Sequence, residues 1–306
     1  MNISAFHSNG KLLISGEYLV LDGALAMAVP TKFGQRLDVS LHDNFSGIRW
    51  EAYVLNKGWL HVSFGSRLFN IIHTNDQKLA LHLKNILKKA FELGNISVDN
   101  QKGILIRTNL DFDRNWGLGS SSTLLSNTGY WLNVDPFSLS RETSNGSGFD
   151  VAAARSDQPI YYQLINGKPE ISTIDFKPDF KDQLYFVHLN SKKNSEESVV
   201  SYKKKMKTNA GDVLEISLLS KFIAEAKHLI DFEKALVEHE KIISKVLGID
   251  RIKKQFFSDF PGEIKSLGAW GGDFVMATST GSESDLRNYF KSKGKSTILR
   301  YEDMVL

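Results

Sequence analysis

Three glycine-rich turns divide this chain between predicted strands and helices. The first, Gly117-Leu-Gly-Ser-Ser-Ser122, follows a predicted strand at 104–108 and precedes a predicted helix that runs through Trp131. The second, at 145–148, leads into another predicted helix, and the third, at 266–273, joins two apolar strands. Because glycine adopts backbone conformations that other residues avoid, such turns can be tight and can expose their N–H groups. The pattern predicts an α+β fold.

Hydrophobic periodicity supplies the other elements. Apolar residues at helical spacing predict an amphipathic helix over 78–93, and Asn166-Gly167 predicts a hairpin turn. Residues 177–181 form a polar connector, where we place a domain boundary. Strands are predicted at 11–21 with a break at Gly16, at 24–29, 36–42, 48–54 and 184–189, near 264 and 274, and at 297–300; helices are predicted over 196–260 with interruptions near 209–212, 230–231 and 248–250, and over 283–290.

Composition excludes several classes of function. The 306 residues are 42% hydrophobic, enough for one large domain or two of medium size. The formal charge is only +3, so no global polycation exists to bind nucleic acid or an anionic membrane. Cysteine is absent, which excludes disulfides, thiolate metal sites and cysteine catalysis. No apolar run reaches roughly 18 residues, and we expect no secretory signal and a soluble cytoplasmic protein.

The turn at Gly117–Ser122 suits a polyphosphate. Its backbone N–H groups and the positive end of the following helix attract anions, and serine hydroxyls can bind Mg2+. The alternative is a plain helix cap. A dinucleotide fingerprint is excluded because Ser122 stands where the third glycine is required, and a P-loop ending at Gly294-Lys-Ser is excluded because Tyr289 replaces its first glycine.

Asp150 and the third turn allow two interpretations each. Asp150 lies at an apolar helix start after a flexible turn, so it could face a cleft or simply complement the helix dipole. The turn at 266–273 could bind a ligand or be a hairpin.

Taken in order, three segments resemble the motifs of the GHMP kinases, the superfamily of galactokinase, homoserine kinase, mevalonate kinase and phosphomevalonate kinase. These segments are Gly10-Lys-Leu-Leu-Ile-Ser-Gly-Glu-Tyr18, Gly117–Ser122 and Gly268-Ala-Trp-Gly-Gly-Asp273. The resemblance spans almost the whole chain. It implies an α+β, two-domain GHMP kinase fold, with a ribosomal-protein-like ATP-binding domain over 1–175 and a ferredoxin-like domain over 176–306.

The resemblance also implies a set of site residues. Lys11 and Asp150 correspond to the catalytic pair, and Ser121 with Glu142 to the Mg2+ ligands. The ATP phosphates are expected at Gly117, Leu118, Gly119, Ser120, Ser121 and Ser122. Acceptor contacts are expected at Glu17, Tyr18, Ser147, Gly148, Lys192, Lys193, Ser195, Gly271 and Gly272.

Within the superfamily, the details resemble phosphomevalonate kinase. The relevant segments are Gly16-Glu-Tyr-Leu-Val-Leu-Asp22, Gly146–Ala154 and Gly-Gly-Asp273. The expected activity is therefore ATP-dependent phosphorylation of 5-phosphomevalonate, with Mg-ATP as the cofactor. Mevalonate is the nearest alternative acceptor, and homoserine, a sugar, or a catalytically silent ligand sensor remain open. We expect a small-molecule substrate, no nucleic-acid or membrane partner, and a monomer or homodimer.

The basic loop at 191–198 could bind the acceptor phosphate, with a solvated surface loop as the alternative. The chain also departs from the family pattern. Asp113 and Asn115 stand where the middle motif usually has proline and glycine, and Trp270 replaces a glycine of the third motif. Trp116 and Trp270 could each stack on adenine or pack in the interior.

Overall fold

The computed structural model describes residues 3–65, 69–96, 102–191, 195–205 and 209–306. The chain forms two compact units, each built from discontinuous segments. Unit 1 comprises Met1–Gly10, Phe33–Arg114 and Leu118–Arg155; unit 2 comprises Lys11–Lys32, Asn115–Gly117 and Ser156–Leu306. The predicted domain boundary after residue 175 is a different kind of division, and it stays a prediction.

The described residues form groups of consecutive strands and groups of consecutive helices along the chain. The strands are β1 (Ile3–Ser15), β2 (Ala26–His42), β3 (Ile48–Val54), β4 (Lys57–Phe64), β5 (Ile71–Thr74), β6 (Gly103–Leu110), β7 (Ile160–Ile165), β8 (Lys168–Thr173), β9 (Leu184–His188), β10 (Ile264–Ser266), β11 (Phe274–Thr278) and β12 (Ile298–Arg300). The α-helices are α1 (Gln77–Leu93), α2 (Ser120–Leu132), α3 (Pro136–Thr143), α4 (Phe149–Ala154), α5 (Ser195–Lys205), α6 (Ala210–Glu225), α7 (Leu229–Leu247), α8 (Ile252–Phe256), α9 (Glu283–Ser292) and α10 (Tyr301–Met304).

Unit 1 is a sheet covered by helices. Its strands lie in the order β5-β4-β3-β6-β2, and the β3–β6 pair is parallel whereas the others are antiparallel. Trp50 lies opposite Ile106 in the parallel pair, and both side chains are buried. Their cluster includes Leu83 and Leu87 of α1, Leu125 of α2 and Leu139 of α3. The apolar stripe predicted for 78–93 therefore covers one face of the sheet.

Unit 2 contains an antiparallel sheet in the order β10-β11-β9-β12. The connections run β9, helices, β10, β11, helix, β12, which is the split β-α-β arrangement of a ferredoxin-like fold. The hairpin of β7 and β8 also belongs to this unit and pairs with Ala26–Ala28 of β2. The two sheets with their helices confirm the α+β prediction.

One predicted strand was wrong. Residues 17–21 do not continue as β structure after Gly16, because Tyr18 adopts φ 62° and the chain turns into a 3-10 helix at Leu19–Asp22. Leu19 and Val20 are buried by this turn rather than by a sheet. Strands β4 and β5 and helix α3 were not predicted. Among the residues that the structure describes, no helix combines the length and apolar character needed to cross a bilayer.

Candidate active site

The glycine-serine turn of unit 1 opens helix α2. Gly119 precedes the helix in the left-handed region, at φ 88°, where a side chain would be strained. The Ser122 hydroxyl donates to the Gly119 carbonyl at 2.8 Å and is buried, whereas Ser121 is exposed. Because the first turn of a helix leaves N–H groups without helical partners, residues 118–122 form a potential anion site that presents the Ser121 hydroxyl to solvent.

Buried polar contacts anchor α2 behind this turn. Thr123 Oγ1 donates to Gln35 Oε1 at 2.9 Å, and Asn127 Nδ2 donates to the Gln35 carbonyl at 2.8 Å. The Ser8 hydroxyl lies 2.7 Å from Ser126 Oγ and 2.8 Å from Asn127 Oδ1. Sequence reasoning missed these residues, although a polar Ser-Asn-Thr run inside an otherwise apolar helix was a usable signal. They fix the helix that carries the turn.

Asp150 lies in the first turn of α4, which packs against α2 in unit 1. Gly148 precedes the helix at φ 93° and is buried, while Ser147 is half-buried. Asp150 Oδ1 accepts from the N–H of Val151 at 3.0 Å, and the side chain is partly exposed. The second glycine turn thus places a carboxylate at a helix start, as predicted.

Glu142 has a different environment from the one expected of a metal ligand. Its carboxylate pairs with Lys89 of α1 at 3.2 Å on an exposed surface. Within the described part of the chain, no group of three or more His, Asp or Glu side chains is arranged to hold a metal ion. The role of Glu142 as a Mg2+ ligand stays a prediction.

In unit 2, residues from all three predicted motifs meet. Lys11 Nζ donates to the Gly117 carbonyl at 3.0 Å. Gly117 has φ 66°, and a Cβ built on it would lie 2.2 Å from Asp273 Oδ2. Only glycine can therefore stand at 117 while Asp273, itself at φ 52°, packs against it. Gly117, at the start of the glycine-serine turn, therefore contacts both Lys11 and Asp273.

The segment before Gly117 is held by β9 and β11. The Asn115 carbonyl lies 3.1 Å from His188 Nε2, and the Trp116 ring makes an edge contact with Phe274 at 5.7 Å between centroids. His188 packs beside both rings. Trp116 thus packs on unit 2 side chains, and Trp270 is buried in a core cluster with Leu19 and Ile243 of the same unit.

The first motif ends in a strained turn. Gly16 is required because a Cβ there would lie 2.7 Å from the Ala26 Cα. Tyr18 follows at φ 62°, and its ring lies 5.3 Å from that of Tyr202. Glu17, predicted to contact the acceptor, is fully buried in an ion pair with Lys265. The positive φ of Tyr18 is a strained conformation, and such strain is concentrated at functional sites.

Buried ionisable groups surround Glu17. His239 Nε2 accepts from the Gly16 N–H at 3.0 Å and lies 3.3 Å from Glu17 Oε2. Burial lowers the pKa of His239 well below its ordinary value, with a further contribution from Lys265, so the ring is neutral. Burial raises the pKa of Glu17, although Lys265 opposes this, and raises the pKa of Glu240 to about 8.

Sequence reasoning missed Lys265, His239 and Glu240. A signal existed, because His239 and Glu240 fall on the apolar face of α7 defined by Phe232, Leu236 and Ile243. Polar residues at core positions of a periodic helix mark buried partners.

The structure describes some of the remaining predicted acceptor contacts but not all of them. Gly271 is exposed at φ 79°, and Gly272 is buried with its N–H 3.2 Å from the Ala269 carbonyl. Ser195 is the first residue of α5. Lys192 and Lys193 lie outside the described residues.

Solved GHMP kinases share this fold. The phosphomevalonate kinase of Streptococcus pneumoniae, solved with phosphomevalonate and AMPPNP, aligns at TM-score 0.70 and 17% identity over 97% of this chain and 99% of that chain. The L. major mevalonate kinase with R-mevalonate aligns at TM-score 0.67 and 15% identity over 97% of this chain and 94% of that chain. The Lactococcus lactis galactokinase with galactose aligns at TM-score 0.65 and 12% identity over 98% of this chain and 93% of that chain.

No family model and no curated protein matches the sequence. The structural alignments nevertheless cover almost the full length of the chain and of these structures. The chain has the two-domain GHMP kinase fold. The fold implied by the three ordered motifs is confirmed.

Proposed function

We propose that this protein is a small-molecule kinase that transfers the γ-phosphoryl group of ATP to 5-phosphomevalonate. The observation that carries the proposal is the contact of Lys11 Nζ with the Gly117 carbonyl, 3.0 Å apart at the start of the glycine-serine turn. It puts a cation beside the segment best suited to bind a polyphosphate. The GHMP kinase fold supports the same class of reaction.

The turn at 118–122 binds the ATP phosphates in this proposal. Its N–H groups and the positive end of α2 stabilise the negative charge, and the left-handed Gly119 aims the backbone at the ligand. The buried contacts of Thr123 and Asn127 with Gln35 hold the turn in one place. Such fixed donors are effective because they do not reorganise during the reaction.

Ser121 is the residue best suited to bind Mg2+. Its hydroxyl is a hard oxygen donor, as Mg2+ prefers, and it is exposed at the start of α2. Glu142 fits less well because Lys89 already neutralises its carboxylate. When bound, Mg2+ neutralises charge on the ATP phosphates.

Lys11 and Asp150 have unequal roles for a phosphate acceptor. The second pKa of a phosphate monoester is about 6, so such an acceptor is largely ionised at neutral pH and needs little help from a base. The charge of Lys11 then contributes most, and Asp150 positions the reacting groups. With an alcohol acceptor such as mevalonate, Asp150 would instead remove the hydroxyl proton.

A phosphorylated acceptor needs an anion site of its own. The sequence offers Lys192 and Lys193, followed by the start of α5 at Ser195. Two cations and a helix start are suited to a phosphate group. This assignment is part of the proposal and rests on the sequence.

A panel assay tests the proposal. Protein and Mg-ATP are mixed with mevalonate, 5-phosphomevalonate, homoserine or galactose while ADP release is followed. We expect the highest kcat/KM with 5-phosphomevalonate. A higher kcat/KM with mevalonate would show that mevalonate, and not 5-phosphomevalonate, is the acceptor. Nucleotide binding without turnover of any acceptor would indicate a ligand sensor.

A further inference from the structure

The turn that ends the first motif is bound by a side chain of helix α7. The N–H of Gly16 donates to Nε2 of His239 at 3.0 Å, although 223 residues separate the two in the sequence. Both residues are buried. A buried backbone N–H is destabilising without an acceptor, and the chain leaves strand β1 at Gly16, which has φ 87°. The acceptor therefore comes from α7 and not from a neighbouring strand.

This hydrogen bond requires one form of the His239 ring. A lone pair on Nε2 is available only when the ring is neutral and carries its proton on Nδ1. Burial lowers the pKa of His239 well below its ordinary value, and Lys265 lowers it further. Lys265 also pairs with Glu17, whose Oε2 lies 3.3 Å from the same Nε2. The cation of Lys265 thus offsets the attraction of the Glu17 carboxylate for a protonated ring.

Tyr18, at the end of this turn, contacts two other segments. Its hydroxyl forms hydrogen bonds with the side chain of Ser198 in α5 and with the backbone of Trp270 in the third glycine turn. Its ring lies 5.3 Å from the ring of Tyr202, also in α5, and the Tyr202 hydroxyl donates to the carboxylate of Asp22. All five residues belong to unit 2. The position of α5 therefore depends on where the turn places Tyr18.

We propose that His239 is a positioning residue for acceptor binding, because it fixes Gly16, thereby places Tyr18, and through Tyr18 orders the start of α5. The inference rests on the proposed function, in which the acceptor phosphate binds at Lys192, Lys193 and the start of α5. His239 is fully buried and acts through the turn. Without its acceptor, the Gly16 N–H would be unpaired in the interior, which favours a shifted turn.

Nitrogen NMR of the unmodified protein tests the hydrogen bond and needs no substrate. With nitrogen-15 in the rings of all eight histidines, the His239 signals are assigned by their loss in His239→Gln. At neutral pH we expect a neutral His239 ring that is protonated at Nδ1. A charged ring, or a ring protonated at Nε2, could not accept from Gly16 and would overturn the proposal.

Substitutions of His239 test its effect on the acceptor. His239→Leu cannot accept a hydrogen bond and should raise the KM for 5-phosphomevalonate about tenfold. The KM for Mg-ATP should change less than about twofold, since the turn at 118–122 is anchored separately through Gln35. His239→Gln places an amide oxygen near the position of Nε2 and should keep both KM values within about threefold of the original. Equal losses in the two variants would overturn the proposal, because a merely structural role needs no acceptor.

Hydrogen exchange followed by mass spectrometry measures the order of α5 directly. His239→Leu should speed amide exchange in α5 at least about tenfold relative to α1, and His239→Gln should not. Phe232→Leu is the matched control, because Phe232 is fully buried on the same helix and packs against Phe176 and Phe180. It should leave exchange in α5 and both KM values unchanged.

The exchange data distinguish failure of this inference from failure of the proposed function. Faster exchange in α5 of His239→Leu, without turnover of any acceptor by the unmodified protein, would mean that the proposed function fails while His239 still positions α5. Unchanged exchange in α5, or an equal increase in α1 and α5, would overturn the positioning role of His239 even if 5-phosphomevalonate is the acceptor.

Discussion

Lys265 and Glu17 form an ion pair in which both side chains are fully buried, although 248 residues separate them in the sequence. The pair joins the strand before the third glycine turn to the end of the first motif. Lys265 Nζ also donates to the Ser266 carbonyl at 2.9 Å. Removing one member would leave the other buried without its charge partner.

Substitution of either member should therefore destabilise the fold more than substitution of both. We expect Lys265→Met or Glu17→Gln to lower the free energy of unfolding by about 3–5 kcal/mol. The double variant should recover most of this loss, because no buried charge is left unpaired. Urea denaturation measures all three values.

The exposed pair of Lys241 and Glu238 is the control for this comparison. Lys241 Nζ lies 2.7 Å from Glu238 Oε1, but the side chains of Lys241 and Glu238 are 58% and 54% exposed. Lys241→Met should cost less than about 1 kcal/mol. A similarly small cost for Lys265→Met would mean that the buried pair contributes little.

Glu240 should make stability depend on pH. Burial raises its pKa in the folded protein to about 8, from an ordinary value of 4.5. The folded state then keeps a proton that the unfolded state releases, so the contribution is fully present below pH 4.5 and is lost as the pH rises through 8. Glu240→Gln keeps the neutral form and removes this loss.

Comparing Glu240→Gln with the unmodified chain separates the effect of Glu240 on stability from that of His239, because both proteins contain His239. Relative to the unmodified chain, Glu240→Gln should gain on the order of 3 kcal/mol in unfolding free energy between about pH 5 and about pH 8. Urea denaturation at about pH 5, 6.5 and 8 provides the comparison. Parallel pH profiles would show that Glu240 is already ionised in the folded protein.

Gly117→Ala should impair nucleotide binding. The new Cβ would lie 2.2 Å from Asp273 Oδ2, and alanine would be strained at φ 66°. We expect the Kd for Mg-AMPPNP, measured by calorimetry, to rise at least about tenfold because the turn must shift. Adding Asp273→Ala should recover part of the loss by removing the overlap.

Gly294→Ala separates strain from overlap. Gly294 has φ 74°, but nothing lies within 4 Å of the place that a Cβ would occupy there. Its substitution should cost about 1–2 kcal/mol of stability and leave the nucleotide Kd unchanged. Identical behaviour of the two variants would exclude a role for the Gly117–Asp273 contact.

In the proposed mechanism the charge of Lys11 acts mainly in the transition state, so Lys11→Met should reduce kcat by about 10³ with a smaller change in the KM for ATP. Lys32→Met, at an exposed position of β2 in the same unit, is the control. Steady-state ADP release measures both. A loss below tenfold for Lys11→Met would show that Lys11 does not stabilise the transferred group.

Asp150→Asn should distinguish the two leading acceptors. If the acceptor is a phosphate, we expect kcat to fall less than about tenfold; if it is an alcohol, the lost base should cost about 10² or more. The variant is assayed with 5-phosphomevalonate and with mevalonate. A large loss with 5-phosphomevalonate would contradict the positioning role assigned to Asp150.

Local elements could be predicted because their causes are local. The apolar spacing of 78–93 matches α1 at Gln77–Leu93, and Asn166-Gly167 connects β7 to β8 as expected. The glycine turns at 117–122 and 145–148 also precede helices α2 and α4. In each case, the relevant interactions span only a few residues, so sequence alone carries them.

The three ordered motifs determined the fold class, and the structural comparisons confirm it. They could not determine which side chains meet. Glu17 belongs to a motif predicted to contact the acceptor, yet its partners are Lys265 and His239, which no local pattern connects to it. Gly117 needs to be glycine because of Asp273, which lies far along the chain in the third motif. Sequence thus determined the glycine turns and the helices that follow them, while tertiary packing decided the partners of each charge, because burial and pairing depend on long-range contacts.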